Sequence, residues 1–186
     1  MKNFPLAFLL LVSCSPDPTP PPPKVAPEPA GPGAAMMAPP ERQSGDLLKY
    51  EAPAGWEKQE PTSKLRKAQY KVPDKAKKAG DAELAVFYFG ANNDMLADNI
   101  KRWASQMGAD DPKPETVQGK FKVTLLDLKG TYTGDAEKGP QDNSRLLVAV
   151  VEAENGPWYF KLVGPADSVG PWREDFVTMV KGAGGK

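Results

Sequence analysis

The stretch that decides the fold is RLLVAVVEAENGPWYFKLV, residues 145–163. Two apolar runs of strand length flank Asn155-Gly156, and Asn-Gly between such runs is the strongest short-range signal for a tight β-hairpin. The first run is apolar at nearly every position, which is typical of a strand covered on both faces. The sequence therefore predicts two antiparallel strands joined by a two-residue turn, the first of them buried.

Four more segments outward from this hairpin have strand patterns. In one of these segments, apolar residues alternate with Lys67, Gln69 and Lys71, which is the pattern of a strand with one face exposed to solvent. In another, the apolar parity shifts at Leu125-Leu126, which indicates either a β-bulge or coverage on both faces. The predicted strands are residues 47–50, 68–72, 83–89 and 121–132.

Two helices complete the pattern. Residues 94–107 place apolar side chains on one stripe, Asn93 or Asp94 can cap the start, and Gly108 suits the residue after the helix. The second helix is predicted over residues 168–181, with Pro171 in its first turn. We therefore expect an α+β fold in which an antiparallel sheet and two helices form a layered sandwich, in the order βββαβββα.

The N-terminus has the pattern of a targeting segment. Lys2 precedes the apolar run FPLAFLLLV, residues 4–12, which is too short to span a bilayer and reads as a signal peptide over residues 1–13. The run ends in Leu11-Val12-Ser13-Cys14, which resembles the lipobox of bacterial lipoproteins. The resemblance implies cleavage before Cys14, acylation of that cysteine with diacylglyceryl and palmitate-type chains, and an extracytoplasmic position on a bacterial membrane. Ser15 favours the outer membrane, and an ordinary secretory signal is the alternative.

Residues 14–45 have the composition of a tether. Eleven prolines fall between Ser15 and Pro40, and aromatic residues are absent from that stretch. Such a segment cannot bury enough apolar surface to fold, so we expect a disordered, extended linker. At ~3.1 Å per residue, about thirty residues reach up to roughly 90 Å, which could hold a domain over residues 46–183 clear of the lipid.

The domain resembles the PsbP-like fold family. The features that carry the resemblance are the opening Ala52-Pro53-Ala54-Gly55-Trp56, the two helix positions, and the Asn155-Gly156 turn before Trp158-Tyr159-Phe160. That family includes bacterial lipoproteins of the DcrB and LpqN type and consists mostly of binding and assembly proteins. The resemblance implies a fold, and fold alone fixes no function.

Composition excludes much of the chemistry of enzymes and metal sites. Histidine is absent, the one cysteine is Cys14, and 24 basic residues balance 24 acidic ones in the 186-residue chain. We therefore expect no catalysis, no cofactor, no metal site and no nucleic-acid binding, and a monomeric domain. Asp135, Glu137 and Asp142 could supply oxygen ligands to Ca²⁺, but Lys138 lies among them and their spacing is not that of an EF-hand.

Two binding hypotheses remain. In the first, a basic segment contacts an unknown acidic envelope protein or anionic lipid, although a solvated face and a protected sheet edge explain the same lysines. In the second, the domain holds a small ligand in a pocket lined by aromatic residues such as Trp56, Phe87 or Trp158, whose other role would be core packing. The basic segment comprises Lys64, Arg66, Lys67, Lys71, Lys75, Lys77 and Lys78.

Overall fold

The structure, a computed structural model, describes residues 48–91 and 95–184. The predicted signal peptide, Cys14 and the tether lie outside the described residues. So do Asn93 and Asp94, the two residues predicted to cap the first helix.

The described chain forms one seven-stranded sheet in which every neighbouring pair is antiparallel. The order across the sheet is β1-β2-β3-β7-β6-β5-β4. The α+β prediction, with an antiparallel sheet and two helical regions, is confirmed. The strands are β1 (Glu57–Gln59), β2 (Arg66–Val72), β3 (Ala82–Tyr88), β4 (Glu115–Gln118), β5 (Lys122–Tyr132), β6 (Gln141–Ala153) and β7 (Gly156–Pro165). The helices are α1 (Leu96–Met107), α2 (Ala166–Val169) and α3 (Arg173–Gly182), with one 3₁₀ turn (Gly170–Trp172) between the last two.

The predicted hairpin lies near the middle of this sheet. Strands β6 and β7 pair from Ala153 opposite Gly156 outward, and Gly156 has a φ of 113°. A Cβ at Gly156 would stand 2.5 Å from the Cα of Ala91, so both the turn and the packing require glycine there. We call the side of the sheet at this turn the hairpin end.

Both faces of the sheet are covered, each by one helical region. On the α1 face, Trp103 and Met107 pack with Leu126, Leu128 and other buried side chains. On the α3 face, a larger core joins the strands to α3 and to the segment before β1. That second core includes Val123, Leu125, Trp158, Phe160, Trp172 and Phe176.

The parity shift in β5 is explained by this double coverage. Leu125 belongs to the core of the α3 face, whereas Leu126 belongs to that of the α1 face. The register irregularity of β5 lies further on, between Gly130 and Tyr132. There the carbonyl oxygen of Met107 fills the space that a side chain at Gly130 would need.

The order of elements differs from the prediction at two places. Residues 48–50 are not a strand, because the carbonyl of Lys49 accepts a hydrogen bond from the Gly184 N–H (2.9 Å) and so binds the C-terminal segment. The first strand is instead β1. Strand β4 lies between α1 and the strand predicted over residues 121–132, where no strand was predicted, so four strands follow α1 where three were expected.

The observed helix ends agree with the predicted ones only in part. Gly108 has a φ of 63°, and its N–H bonds the carbonyls of Ala104 and Ser105, as predicted for the end of α1. Pro171 lies in the 3₁₀ turn, so the last predicted helix is divided into α2 and α3. This division brings Arg173, the first residue of α3, over β5.

Candidate functional site

A groove of about 540 Å³ lies between α3 and the strands β4, β5 and β6. The alternation of β5 directs Leu125 and Asp127 to the α3 face, and Leu147 lies opposite Asp127 on β6. Apolar side chains of α3 lie across the groove from these strands. The apolar part of the lining is Leu125, Leu126, Leu147, Val148, Phe176 and Val177, and the charged part is Lys113, Glu115, Asp127, Lys129, Arg145 and Arg173.

One carboxylate organises the charged part of the groove. Arg145 donates from Nε to Asp127 Oδ1 (2.8 Å) and from a terminal nitrogen to Asp127 Oδ2 (2.6 Å), which is a two-pronged pair. Arg173 donates from Nε to the same Oδ2 (3.1 Å) and from a second nitrogen to Glu174 (2.9 Å). Two guanidinium groups from different elements are therefore fixed around one acid.

The ionisation of this cluster is stable at neutral pH. Burial alone would raise the pKa of Asp127, but its hydrogen bonds and charge interactions with Arg145 and Arg173 outweigh burial and lower that pKa. The hydrogen bond to Asp127 raises the pKa of Arg173. At neutral pH, Asp127 is therefore ionised and Arg173 is protonated.

The groove as a whole is basic. Its lining carries four cations, Lys113, Lys129, Arg145 and Arg173, against the two carboxylates of Glu115 and Asp127. Its apolar part can hold a nonpolar group while its lysines attract an anionic one. The arrangement therefore suits an amphipathic anion or an acidic peptide segment.

A second cluster surrounds Lys161 on the α1 face. The ammonium of Lys161 donates to the hydroxyl oxygen of Tyr132 (2.9 Å) and, more weakly, to Gln106 Oε1 (3.4 Å). Both acceptors are neutral. No ion pair of Lys161 with a carboxylate is found among the described residues.

This environment makes the charge of Lys161 costly. Burial, together with the nearby charges of Arg102 and Arg66, lowers the pKa of Lys161 to about 8. Glu83 and Asp135 oppose the shift. Lys161 is thus a partly buried cation whose charged form the fold destabilises.

The basic segment predicted from the sequence does not form one patch. Lys64 and Lys67 lie at the hairpin end of β2, whereas Lys75, Lys77 and Lys78 lie in the loop after β2. At about 3.3 Å per residue, the seven-residue strand separates the two groups by ~20 Å, more than twice the Debye length of ~8 Å at physiological salt. The two groups therefore act as separate surfaces.

Three of the seven cations have acidic partners. Arg66 bonds Glu83 (2.7 Å), and Lys71 contacts Asp81 (3.1 Å) and Glu57 (3.7 Å).

Lys75 contacts Asp175 (3.3 Å), and its ammonium lies 3.6 Å from the ring centre of Trp172. Beside it, Asp74 accepts backbone hydrogen bonds from Ala76, Lys78 and Ala79, which folds the loop around the acid.

The aromatic residues proposed to share a pocket lie on opposite faces. Trp56 and Trp158 are buried in the core of the α3 face. Phe87 packs from the other side against the core of the α1 face. These three side chains therefore do not line one cavity, and packing accounts for each of them.

Two of the three acids considered as calcium ligands, Asp135 and Asp142, have other partners. Asp135 accepts from the backbone N–H groups of Glu137 (3.1 Å) and Lys138 (3.2 Å), which lowers its pKa. Asp142 accepts from the Thr131 hydroxyl (2.7 Å). In residues 48–91 and 95–184, no group of three or more His, Cys, Asp or Glu side chains could hold a metal ion.

Comparison of the chain with protein-family models, curated proteins and solved structures finds no match. Within the part of the chain that the structure describes, none of the helices has the length and apolar character needed to cross a membrane.

Proposed function

We propose that this chain is a lipid-anchored, extracytoplasmic binding or assembly protein of the bacterial envelope, without catalytic activity. The lipobox-like Leu11-Val12-Ser13-Cys14 supports the anchor, and the proline-rich residues after it support a spacer. A chain without histidine, whose one cysteine is committed to lipid, has few groups for nucleophilic or general-base chemistry. Outer-membrane sorting through Ser15 forms part of the proposal.

The observation that supports a binding role is the groove beside α3, whose lining combines apolar side chains with an excess of basic ones. Asp127 holds Arg145 and Arg173 in place, so the groove has fixed charges before any ligand arrives. Such preorganisation lowers the entropy lost when a partner binds. The partner that fits is an acidic segment of an envelope protein carrying at least one apolar side chain.

Within this proposal the domain has a PsbP-like fold. A helical region on each face of an antiparallel sheet, the Ala52-Pro53-Ala54-Gly55-Trp56 opening and the central Asn-Gly hairpin support that assignment. The family consists mostly of binding and assembly proteins, which agrees with a non-catalytic role.

A small amphipathic anion is the second candidate occupant. The groove volume of about 540 Å³ lies in the range of small-molecule sites, roughly 300–1,000 Å³. Native mass spectrometry of protein extracted from membranes would detect such a ligand as an added mass that Arg173→Glu removes.

Site-specific photocrosslinking in living cells tests the proposal. A benzophenone amino acid at Val177 places the probe in the groove, and the matched control places it at Ser105, exposed on α1 across the sheet. The proposal expects a defined adduct from Val177 that is at least several-fold stronger than from Ser105 and is weakened by Arg173→Glu. Equal adducts from the two positions would contradict a binding role for the groove.

A further inference from the structure

Three large apolar side chains are exposed in the described part of the chain. Leu65 is 62% exposed, Met95 51% and Phe89 49%. Single exposed apolar residues are ordinary on protein surfaces. What distinguishes these three is that they share one end of the sheet.

The strand register places Leu65 and Phe89 at the same end of the sheet. Arg66 pairs with Phe87, so Leu65 and Phe89 both lie just beyond the last pair of β2 and β3 at the hairpin end. The ring of Phe89 stacks on Phe87 (6.0 Å between ring centres) and leans on Tyr159 (5.7 Å). The ring of Phe89 therefore rests on Phe87 and Tyr159 and stays half exposed to solvent.

Met95 joins them because α1 runs away from this end. Trp103 packs on Tyr159, and the carbonyl of Met107 lies on Gly130, at the opposite end of β5. The start of α1 therefore points back towards the hairpin end, where Met95 precedes the helix.

The apolar side chains are flanked by cations. Lys64 and Lys67 are exposed on either side of Leu65-Arg66, and neither has a carboxylate within 4 Å among the described residues. Glu60 and Glu154 are acidic residues at the same end. Exposed apolar residues beside unpaired lysines match the interface of an anionic bilayer.

The point where the described chain begins also lies at this end. The backbone of Lys49 bonds Gly184, and Gly184 lies against Lys120 and Phe121, just before the first pairs of β5. The first described residue, Leu48, therefore lies at the same end of the sheet as the exposed apolar residues.

We propose that the hairpin end of the sheet docks on the surface of an anionic membrane. Leu65, Phe89 and Met95 enter the headgroup region, and Lys64 and Lys67 contact anionic lipid. The orientation rests on the proposed lipid anchor at Cys14. It leaves the groove beside α3 facing sideways, open to a partner.

Depth-dependent fluorescence quenching tests this surface in the full mature chain, purified from membranes and reconstituted into vesicles. With Cys14 acylated, Thr62→Cys gives a single labelling site beside the surface, and Ala79→Cys gives a matched exposed control at the far end of β2. Spin-labelled lipid should quench the dye at position 62 at least threefold more than at position 79 in vesicles containing phosphatidylglycerol.

Two variants separate the apolar and ionic contributions. Leu65→Ser with Phe89→Ser should cut the quenching at position 62 by half or more in every vesicle. Lys64→Gln with Lys67→Gln should cut it only in anionic vesicles at low salt, because screening removes the ionic term. Both pairs are exposed, so the fold should persist.

The outcomes distinguish this surface from the anchor. Vesicle-bound protein with equal quenching at positions 62 and 79 would overturn the docking surface alone. Protein that does not sediment with vesicles would overturn the lipid anchor and the docking orientation together. Quenching at position 62 that neither variant pair reduces would also refute the assignment of these residues.

Discussion

Replacing Lys161 by methionine should stabilise the domain at neutral pH, although the change deletes a hydrogen bond. The pKa of Lys161 falls from 10.5 to about 8 in the folded protein. A shift of about 2.5 units corresponds to roughly 3 kcal/mol of destabilisation of the charged form. Losing the hydrogen bond to Tyr132 costs about 1 kcal/mol, so we expect the free energy of unfolding to rise by ~2 kcal/mol in total.

The sign of the pH dependence follows from where each state holds the proton. Below pH 8 both folded and unfolded chains keep Lys161 charged, so the folded wild-type protein bears the full cost. Between about pH 8 and 10.5 the unfolded state binds more protons than the folded state, so wild-type stability rises with pH. The advantage of Lys161→Met should therefore be constant below pH 8 and vanish by about pH 10.5.

Urea unfolding of both proteins from pH 6.5 to 10.5 measures this difference directly. Lys129→Met is the matched control, because Lys129 is exposed on β5 and its removal should change stability by less than about 0.5 kcal/mol. A Lys161→Met variant that is less stable than wild type at pH 7, with no change in the difference up to pH 10.5, would refute the reasoning.

Two further outcomes follow from the ion cluster and the loop. Asp127→Asn leaves Arg145 and Arg173 facing each other, so urea unfolding should show a loss of about 2 kcal/mol at pH 7. The folded pKa of Asp127 is lowered, so its contribution is present above the ordinary value of about 4 and is lost as the pH falls through the folded pKa below it. The difference between the two proteins should therefore shrink in acid, and a pH-independent difference would refute the assignment. Because Asp135 and Asp142 are bound within the chain, millimolar Ca²⁺ should leave the melting temperature unchanged by calorimetry. A rise of several degrees that Asp135→Asn with Asp142→Asn abolishes would instead establish a calcium site.

The buried strands could be predicted from sequence because their apolar patterns are long. β3, β5, β6 and β7 all carry such patterns, and the Asn-Gly signal correctly predicts that β6 and β7 form a hairpin, although the turn residues are Glu154 and Asn155. The edge strands could not, because β1 (Glu57–Gln59) and β4 (Glu115–Gln118) are short and mostly exposed. These two segments are strands because they pair with β2 and β5, and their own sequences do not have a preference strong enough to predict this.

The only sign of the groove in the sequence is one charged residue within an apolar strand pattern. Asp127 is a charged residue within an otherwise apolar stretch of β5. Arg145 could be found through strand pairing, but Arg173 lies 46 residues from Asp127 on a helix that Pro171 divides. Its place over β5 depends on how that division turns α3.

The basic segment shows the opposite error, in which neighbours along the chain are separated in space. An extended strand places its two ends far apart, so Lys64 and Lys78 cannot share one surface. Conversely, Leu65, Phe89 and Met95 are distant in sequence, and the register of β2 and β3 and the direction of α1 bring them to the same end of the sheet.

The central claim, a binding domain held to a bacterial membrane by lipid, is tested most directly by the mass of the mature N-terminal peptide. The account predicts a chain that begins at Cys14 and carries a diacylglyceryl thioether, with or without a further acyl group on its amine. Cys14→Ser should leave the precursor uncleaved, with residues 1–13 still attached. A mature protein with a free, unmodified Cys14 thiol, or one cleaved at another position, would contradict the claim.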